Sequence, residues 1–348
     1  MGAKVRVLSF DGGGIRGVIS ARVLMHVEEI LQEISGDKDA RLSDFFDLVS
    51  GTSTGGILTA LVLAPDKEIS GRARYSAADM LDLYLNHGQE IFTKSVRAKY
   101  LDRFGLLNPL YAAEPIEKIL NDYLGDLKIS ELLRPCLIPA YNIDKGRATF
   151  FSGLEVRDNP KRDRYVRDVL RMTSAAPTYF PPAKIGDDAY IDGGIFANNP
   201  ALCAYIEAIK FPADVAPSDI MMLSIGTGST SRHYDYKRVK DWGRLEWIKP
   251  IIDIYSSSAA QTVNHQLEVL YDKKDRTGNY LRIEPNLDKF KVDKGMDAAT
   301  VENMDKLVKV GETINIDYDI QLRKFLRKIY ESNRLSPYQK LYETSDDR

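Results

Sequence analysis

The chain has 348 residues, a formal net charge of −2, 44% hydrophobic and 28% charged residues. This length can bury a sizeable core and suits one large α/β domain, and the near-neutral charge gives no basic footprint for a nucleic-acid polymer. Two cysteines, Cys136 and Cys203, form neither a disulfide scaffold nor a metal-ligand spacing, and they fit a reducing compartment. No apolar run reaches the ~18–20 residues needed to span a bilayer. Residues 1–10 read as a strand rather than a leader, and Arg6 stands where a myristoylation signal needs Ser or Thr. The expectation is a cytoplasmic protein that can work at a membrane surface.

In chain order, VRVLSF (5–10) has the β-branched, apolar character of a strand and ends at glycines. Val23, Leu24, Val27, Ile30, Leu31 and Ile34 recur at helical spacing, which predicts a helix over 18–34. FFDLVS (45–50) reads as a second buried strand and GGILTALVLA (55–64) as a buried helix. Residues 76–92 and 113–124 are helical, with Pro115 in a first turn. CLIPAYNI (136–143) and ATFFSG (148–153) form a strand pair around a polar turn. VRDVLRMTSA (166–175) is a helix that stops at Pro177, and AKIGDDAYIDGG (183–194) is two strands around a Gly-Asp turn. A helix follows, with Asn199 as its cap and Pro200 at its first position. DIMMLSIGTG (219–228) and NYLRIEP (279–285) are further strands, and the C-terminal third is mostly helical. Alternating strands and helices predict a three-layer α/β/α fold with a mostly parallel sheet.

Gly12-Gly13-Gly14-Ile15-Arg16-Gly17 fits GxGxxG between a strand and a helix. That pattern is open to a dinucleotide loop, a tight turn, or a nest of amides for an oxyanion. The second strand, however, ends in Ser-Gly, not in the acidic residue a dinucleotide ribose requires. Gly51-Thr52-Ser53-Thr54-Gly55 is GxSxG in a strand–turn–helix context, the pattern of a nucleophile elbow presenting Ser53. Such a serine needs a base. The late histidines His233 and His265 sit in no strand-end turn of the expected kind. Asp192 is better placed, at the end of a strand and held by the Gly193-Gly194 turn.

DGGGIRG, GTSTGG and DGG in this order resemble the patatin-like phospholipases. RLSDFFDLVSGTSTGG, TSAAPTYFPP, LSIGTG and the stretch from NYLRIEP to MDAATVENMDKLVKVGE agree, so the resemblance runs over roughly residues 5–315. It implies a single patatin-like domain over 1–348, with a helical extension over about 316–348. It also implies a lipid acyl hydrolase of phospholipase A or lysophospholipase type that works through an acyl-enzyme, without a metal or other cofactor. Residue by residue, Ser53 would be the nucleophile and Asp192 the base. The amides of Gly13 and Gly14, with Gly12 close by, would form the oxyanion hole. Arg16 would add positive charge or brace the loop. Residues 62–111 and 229–278 diverge, so the substrate, a phospholipid or galactolipid, is left open.

Two segments are candidates for contact with lipid. Residues 91–111 mix Lys94, Arg97, Lys99 and Arg103 with apolar side chains, as a lid would. Residues 320–330 place Leu322, Phe325, Leu326, Ile329 and Tyr330 on one helical face, which equally suits an ordinary packed helix. The alternatives in function are a membrane-degrading antiphage effector switched on by a cyclic nucleotide, a non-catalytic lipid-binding or storage protein, and a dinucleotide-dependent oxidoreductase. Homo-oligomer formation is left open.

Overall fold

The computed structural model describes residues 4–94, 108–211, 215–230, 234–275 and 278–332. Its strands are β1 (Val5–Phe10), β2 (Leu48–Gly51), β3 (Cys136–Asn142), β4 (Arg147–Ser152), β5 (Ala183–Ile185), β6 (Asp188–Asp192), β7 (Ile220–Ile225) and β8 (Tyr280–Ile283). Its helices, short 3-10 turns aside, are α1 (Gly17–Ser35), α2 (Thr54–Leu63), α3 (Ala77–Ile91), α4 (Glu114–Leu124), α5 (Gly153–Asp158), α6 (Val166–Thr173), α7 (Gly194–Ala197), α8 (Ala201–Ile209), α9 (Tyr236–Val239), α10 (Arg244–Asp275) and α11 (Val301–Ser332).

All eight strands form one sheet in the order β5-β6-β3-β2-β1-β7-β8, with β4 on β3. The run β3-β2-β1-β7-β8 is parallel, and β4, β5 and β6 add antiparallel pairings at one side. The central strands are covered on both faces, as parallel strands are. Val5 and Val7 face a core shared with Ala204, Tyr205 and Leu267 from α8 and α10. Leu8 and Phe10 face the larger core built by α1, α2, α3, α6 and α11. This is the three-layer α/β/α arrangement the sequence predicts.

Sheet register explains where the site sits. β4 pairs with β3 from residue 137 to 142, which fills one edge of that strand. β2 pairs at Cys136 and Leu137, and β6 pairs at Ala140 to Asn142, so both share the other edge. β6 runs antiparallel there, so its C-terminal end approaches the C-terminal end of β2. Ser53 and Asp192, 139 positions apart in the sequence, are thereby brought face to face. The site lies beyond the carboxyl ends of the strands, where open parallel sheets bind ligands.

Some boundaries differ from expectation. β2 begins at Leu48, because Phe45 closes a 3-10 turn and Asp47 turns back onto β1. The Asp47 carboxylate accepts from the Arg6 amide at 2.9 Å and from its guanidinium at 2.8 and 2.7 Å, all buried. α6 ends at Thr173, four residues before Pro177, where the Ser174 amide and hydroxyl both donate to the Leu170 carbonyl. Pro200 is the N-cap of α8 rather than its first residue, and the Asn199 carboxamide accepts from the Ala201 amide at 3.0 Å.

The boundary expected near residue 316 falls inside α11, which is continuous to Ser332. Leu322, Phe325, Leu326 and Ile329 are buried in the main core, as an ordinary packed helix requires, while Tyr330 is exposed. Residues 333–348 lie outside the described residues, as do residues 95–107 of the expected lid segment.

Candidate active site

The turn after β2 is a strained elbow. Ser53 has φ 55° and ψ −122°, a conformation that costs an L-residue about 1–3 kcal/mol and persists only where its surroundings enforce it. Three contacts do so. The Ser53 amide donates to the Thr173 hydroxyl at 3.0 Å, which in turn donates to the Pro139 carbonyl at 2.6 Å. The Thr52 hydroxyl donates to the Ala197 carbonyl at 2.6 Å. The Thr54 hydroxyl meets the Tyr84 hydroxyl at 2.6 Å. Gly55 packs so close to β1 that a Cβ would stand 2.5 Å from the Phe10 carbonyl oxygen. Ser53 therefore sits at the N-terminus of α2, where partial positive charge favours a developing anion.

The glycine loop after β1 forms the facing wall. Gly14 has φ +59°, and a Cβ there would strike the Met296 carbonyl. The Ile15 amide donates to that same carbonyl at 2.9 Å. Among the described residues, no hydrogen-bond acceptor is recorded for the amides of Gly13 and Gly14, and both residues line the cavity that holds Ser53.

Of the other two residues expected at this loop, Gly12 has its amide engaged and Arg16 takes the bracing role, one of the two expected of it. The Gly12 amide already donates to the Asn198 carbonyl at 2.9 Å, and the Gly12 carbonyl accepts from the Thr227 hydroxyl at 2.8 Å, so Gly12 anchors the loop and has no free donor. Arg16 braces it, donating to the Gly13 carbonyl at 3.5 Å and the Gly228 carbonyl at 3.2 Å, and it lines a neighbouring cavity instead.

Asp192 ends β6 and is buried. Burial pushes its carboxyl up to about 6, while the Ser53 hydroxyl and the Gly194 amide, the latter 2.7 Å from Oδ1, hold it down. No cation is among the groups acting on it. Gly193 lies against the Pro139 carbonyl, where a Cβ has no room. A carboxylate near neutral pKa, in one cavity with a serine hydroxyl that acts on it, has the chemistry of a general base.

Ser53, Asp192, Gly13 and Gly14 open onto one cavity of about 890 Å³ whose lining includes Ile57, Phe92, Ile116 and Phe180. A second cavity of about 930 Å³ adjoins it, with Asn198, Tyr179, Ser256 and Met296 lining both. His265 is exposed on α10 and lines neither, and His233 lies outside the described residues. Among the described residues no three His, Cys, Asp or Glu side chains are placed to hold a metal ion, and no helix is long and apolar enough to cross a membrane.

Sequence reasoning missed Thr173, Asn198, Thr227 and Arg282. Arg282 binds both oxygens of Asp11, at 2.7 and 2.5 Å, beneath the glycine loop, and also bonds Glu284. None of these residues carries a spacing signal. Their importance comes from partners 120 to 271 positions away.

Four matches bear on identity. Residues 8–205 match the family model described as "Patatin-like phospholipase". The chain is 37% identical to "Patatin-like protein 2" of Arabidopsis thaliana, over 90% of this chain and 83% of that protein. It is 36% identical to "Patatin-like protein 2" of Oryza sativa subsp. japonica, over 89% and 83%. It is also 30% identical to "Probable inactive patatin-3-Kuras 1" of Solanum tuberosum, over 96% and 95%.

Proposed function

Since this chain belongs to the patatin-like phospholipase family, we propose that it is a serine lipid acyl hydrolase whose working pair is Ser53 and Asp192. Family membership supports lipid acyl hydrolase activity in general, on lipid substrates. It does not by itself establish turnover, since one relative is named as inactive. One observation carries the catalytic reading. A buried carboxylate with no cation acting on it shares a cavity with a serine held at a strained elbow, whose hydroxyl acts on it, and with two unengaged amides.

In this reading Asp192 takes the Ser53 hydroxyl proton as Oγ attacks the ester carbonyl carbon. The carbonyl π electrons move onto oxygen, and the amides of Gly13 and Gly14 receive the oxyanion. Each such donor contributes about 3–4 kcal/mol of transition-state stabilisation. The oxyanion collapses, the bond to the leaving alcohol breaks, and protonated Asp192 returns the proton to the departing oxygen. Water then attacks the acyl-enzyme, losing its proton to Asp192, and collapse releases the fatty acid while Ser53 recovers its proton. The apolar walls of the cavity suit an acyl chain. Every acid–base step uses this chain's own groups, so no metal is required, and the substrate is reached at a membrane surface.

The test is fatty-acid release from mixed phospholipid vesicles by wild type, Ser53→Ala and Asp192→Ala, with and without EDTA. Wild type should release acid in both conditions, and each variant should lose at least about 10³–10⁴-fold in kcat. Full activity in Ser53→Ala, or its abolition by EDTA in wild type, would remove this mechanism.

A further inference from the structure

The amides that would receive the oxyanion are aimed from elsewhere in the chain. Gly14 sits at φ +59°, and a Cβ on it would stand 2.1 Å from the Met296 carbonyl oxygen. The same oxygen accepts from the Ile15 amide at 2.9 Å. A peptide unit is planar, so this bond fixes the whole plane between Gly14 and Ile15. The Gly14 amide, on the other side of the same Cα, takes its direction from that plane and from the close approach at the Cα. Met296 therefore sets where the Gly14 N–H points.

Met296 lies at the apex of the turn that leads into α11. Asn303 pins the two shoulders of this turn. Its carboxamide accepts from the Asp293 amide at 2.8 Å and donates to the carbonyls of Asp293 and Ala298 at 3.1 and 2.9 Å. The apex is tied to a different part of the molecule. The Tyr111 hydroxyl donates to the Asp297 carboxylate at 2.6 Å. Burial, with that carboxylate beside it, pushes the Tyr111 hydroxyl above its usual range, so it stays a donor.

Tyr111 is itself firmly placed. Its amide donates to the Tyr179 carbonyl at 2.8 Å, and the Leu110 amide donates to the Thr178 carbonyl at 3.1 Å. Thr178 holds φ 72°, a strained value for a β-branched residue. The buried Tyr111 ring packs against Phe92 and Phe180, with centroids 5.3 and 5.7 Å away. Both of those rings line the cavity that holds Ser53, whereas Tyr111 stands behind them and does not.

We infer that Tyr111 is a positioning residue for the oxyanion site, acting through Asp297 and the Met296 carbonyl to keep the Gly14 amide aimed at the reacting ester. The inference rests on the Ser53–Asp192 reading and adds a residue to it. Loss of the Tyr111 hydroxyl leaves the acyl walls and the Ser53 elbow in place but frees the apex that holds Gly14. A donor that meets its charge only in the transition state acts on kcat rather than on KM.

Three variants test this. Tyr111→Phe keeps the ring and removes the hydroxyl, Asp297→Ala removes the acceptor, and Asp297→Asn keeps an acceptor oxygen. A medium-chain p-nitrophenyl ester gives kcat and KM. Binding of an alkyl trifluoromethyl ketone is compared with that of an ether of the same chain length. In the ketone adduct Ser53 Oγ bonds to the carbonyl carbon, its proton passes to Asp192 and the π pair moves onto oxygen, so the adduct needs the oxyanion donors. The ether cannot be attacked and reports the acyl cavity alone. Tyr111→Phe and Asp297→Ala should each lower kcat and ketone affinity about tenfold, with KM and ether binding unchanged. The double variant should lose no more than either single one, since both break the same link, and Asp297→Asn should retain most of the activity. Unchanged ketone affinity in Tyr111→Phe, losses that add in the double variant, or an equal loss of ether binding overturns the inference and makes Tyr111 a wall residue. If wild type binds the ketone no more tightly than the ether, the Ser53–Asp192 reading fails and this one falls with it.

Discussion

Asp11 and Asp192 begin from the same local sequence. Asp192 is the last residue of β6 and Asp11 the first after β1, each is followed by two glycines, and each is buried. Their environments then separate them. Burial pushes the Asp11 carboxyl up, and Arg282, bound to both of its oxygens, pulls it back. Burial pushes Asp192 up to about 6, and only a serine hydroxyl and one amide oppose it. One Asp-Gly-Gly is thus held by an arginine clamp beneath the glycine loop, and the other is the group that the proposed mechanism uses to move a proton. The partner, not the motif, decides, and it arrives from β8 or from the elbow after β2.

Lesions at the two carboxylates should therefore fail differently. Asp192→Asn keeps shape and removes the base, so kcat should fall about 10⁴-fold with the fold intact. Arg282→Met strands Asp11 and Glu284 in a buried site, and breaking such a pair costs about 3–5 kcal/mol. Urea midpoints and fatty-acid release, measured on both variants, separate the cases. Loss of several kcal/mol in Asp192→Asn alongside an undisturbed Arg282→Met would reverse the assignment of clamp and base.

The contrast also has a pH signature. The folded-state pKa of Asp192 lies near 6, above its ordinary value of 3.8. A raised acid pKa means that the folded protein holds the proton more tightly than the unfolded chain does. Its contribution to stability is therefore fully present below pH ~4 and is lost as pH rises through about 6. Asparagine does not titrate, so Asp192→Asn should gain on wild type by up to about 3 kcal/mol between those limits, then hold that gain above them. Thermal melts at pH 4, 5, 6 and 7.5 read this directly. In wild type, kcat/KM should fall below pH 6 with unit slope, because the base must be ionised. A flat melting difference across that window, or an acid limb near 4, would mean that burial does not raise this carboxyl.

Strand and helix periodicity made most of the fold readable from the sequence. β1, α1, α3 and the β3–β4 pair lie within about two residues of expectation because their apolar spacing is set locally. The turns that carry Ser53 and Asp192 were readable because a sharp turn at a strand end demands glycines beside the residue it presents. The clamp was not. Arg282 lies on a short strand whose alternation says nothing of Asp11, and Thr173 is one threonine at a helix end. The Gly12 amide shows the reverse failure. A glycine triplet suggests three donors, but the Asn198 carbonyl that takes one of them is contributed by a turn 186 residues further along the chain.

Thr173 marks the smallest separable effect, since it touches neither the proton nor the ester. It is fully buried, accepts from the Ser53 amide and donates to the Pro139 carbonyl, so it couples the elbow to β3, the strand against which Asp192 of β6 is paired. Thr173→Val keeps the volume and removes both bonds. Leaving a buried amide and carbonyl unsatisfied costs about 1–3 kcal/mol, and the elbow, already at φ 55°, loses one of its restraints. The expected result is a kcat about tenfold lower, with KM and the acid limb near pH 6 unchanged, because the acyl cavity and Asp192 are left as they were. Thr173→Ser restores the hydroxyl and should recover most of that loss. A Val variant that moves KM or the pH limb instead would mean that Thr173 acts on the cavity or on the base rather than on the aim of Ser53.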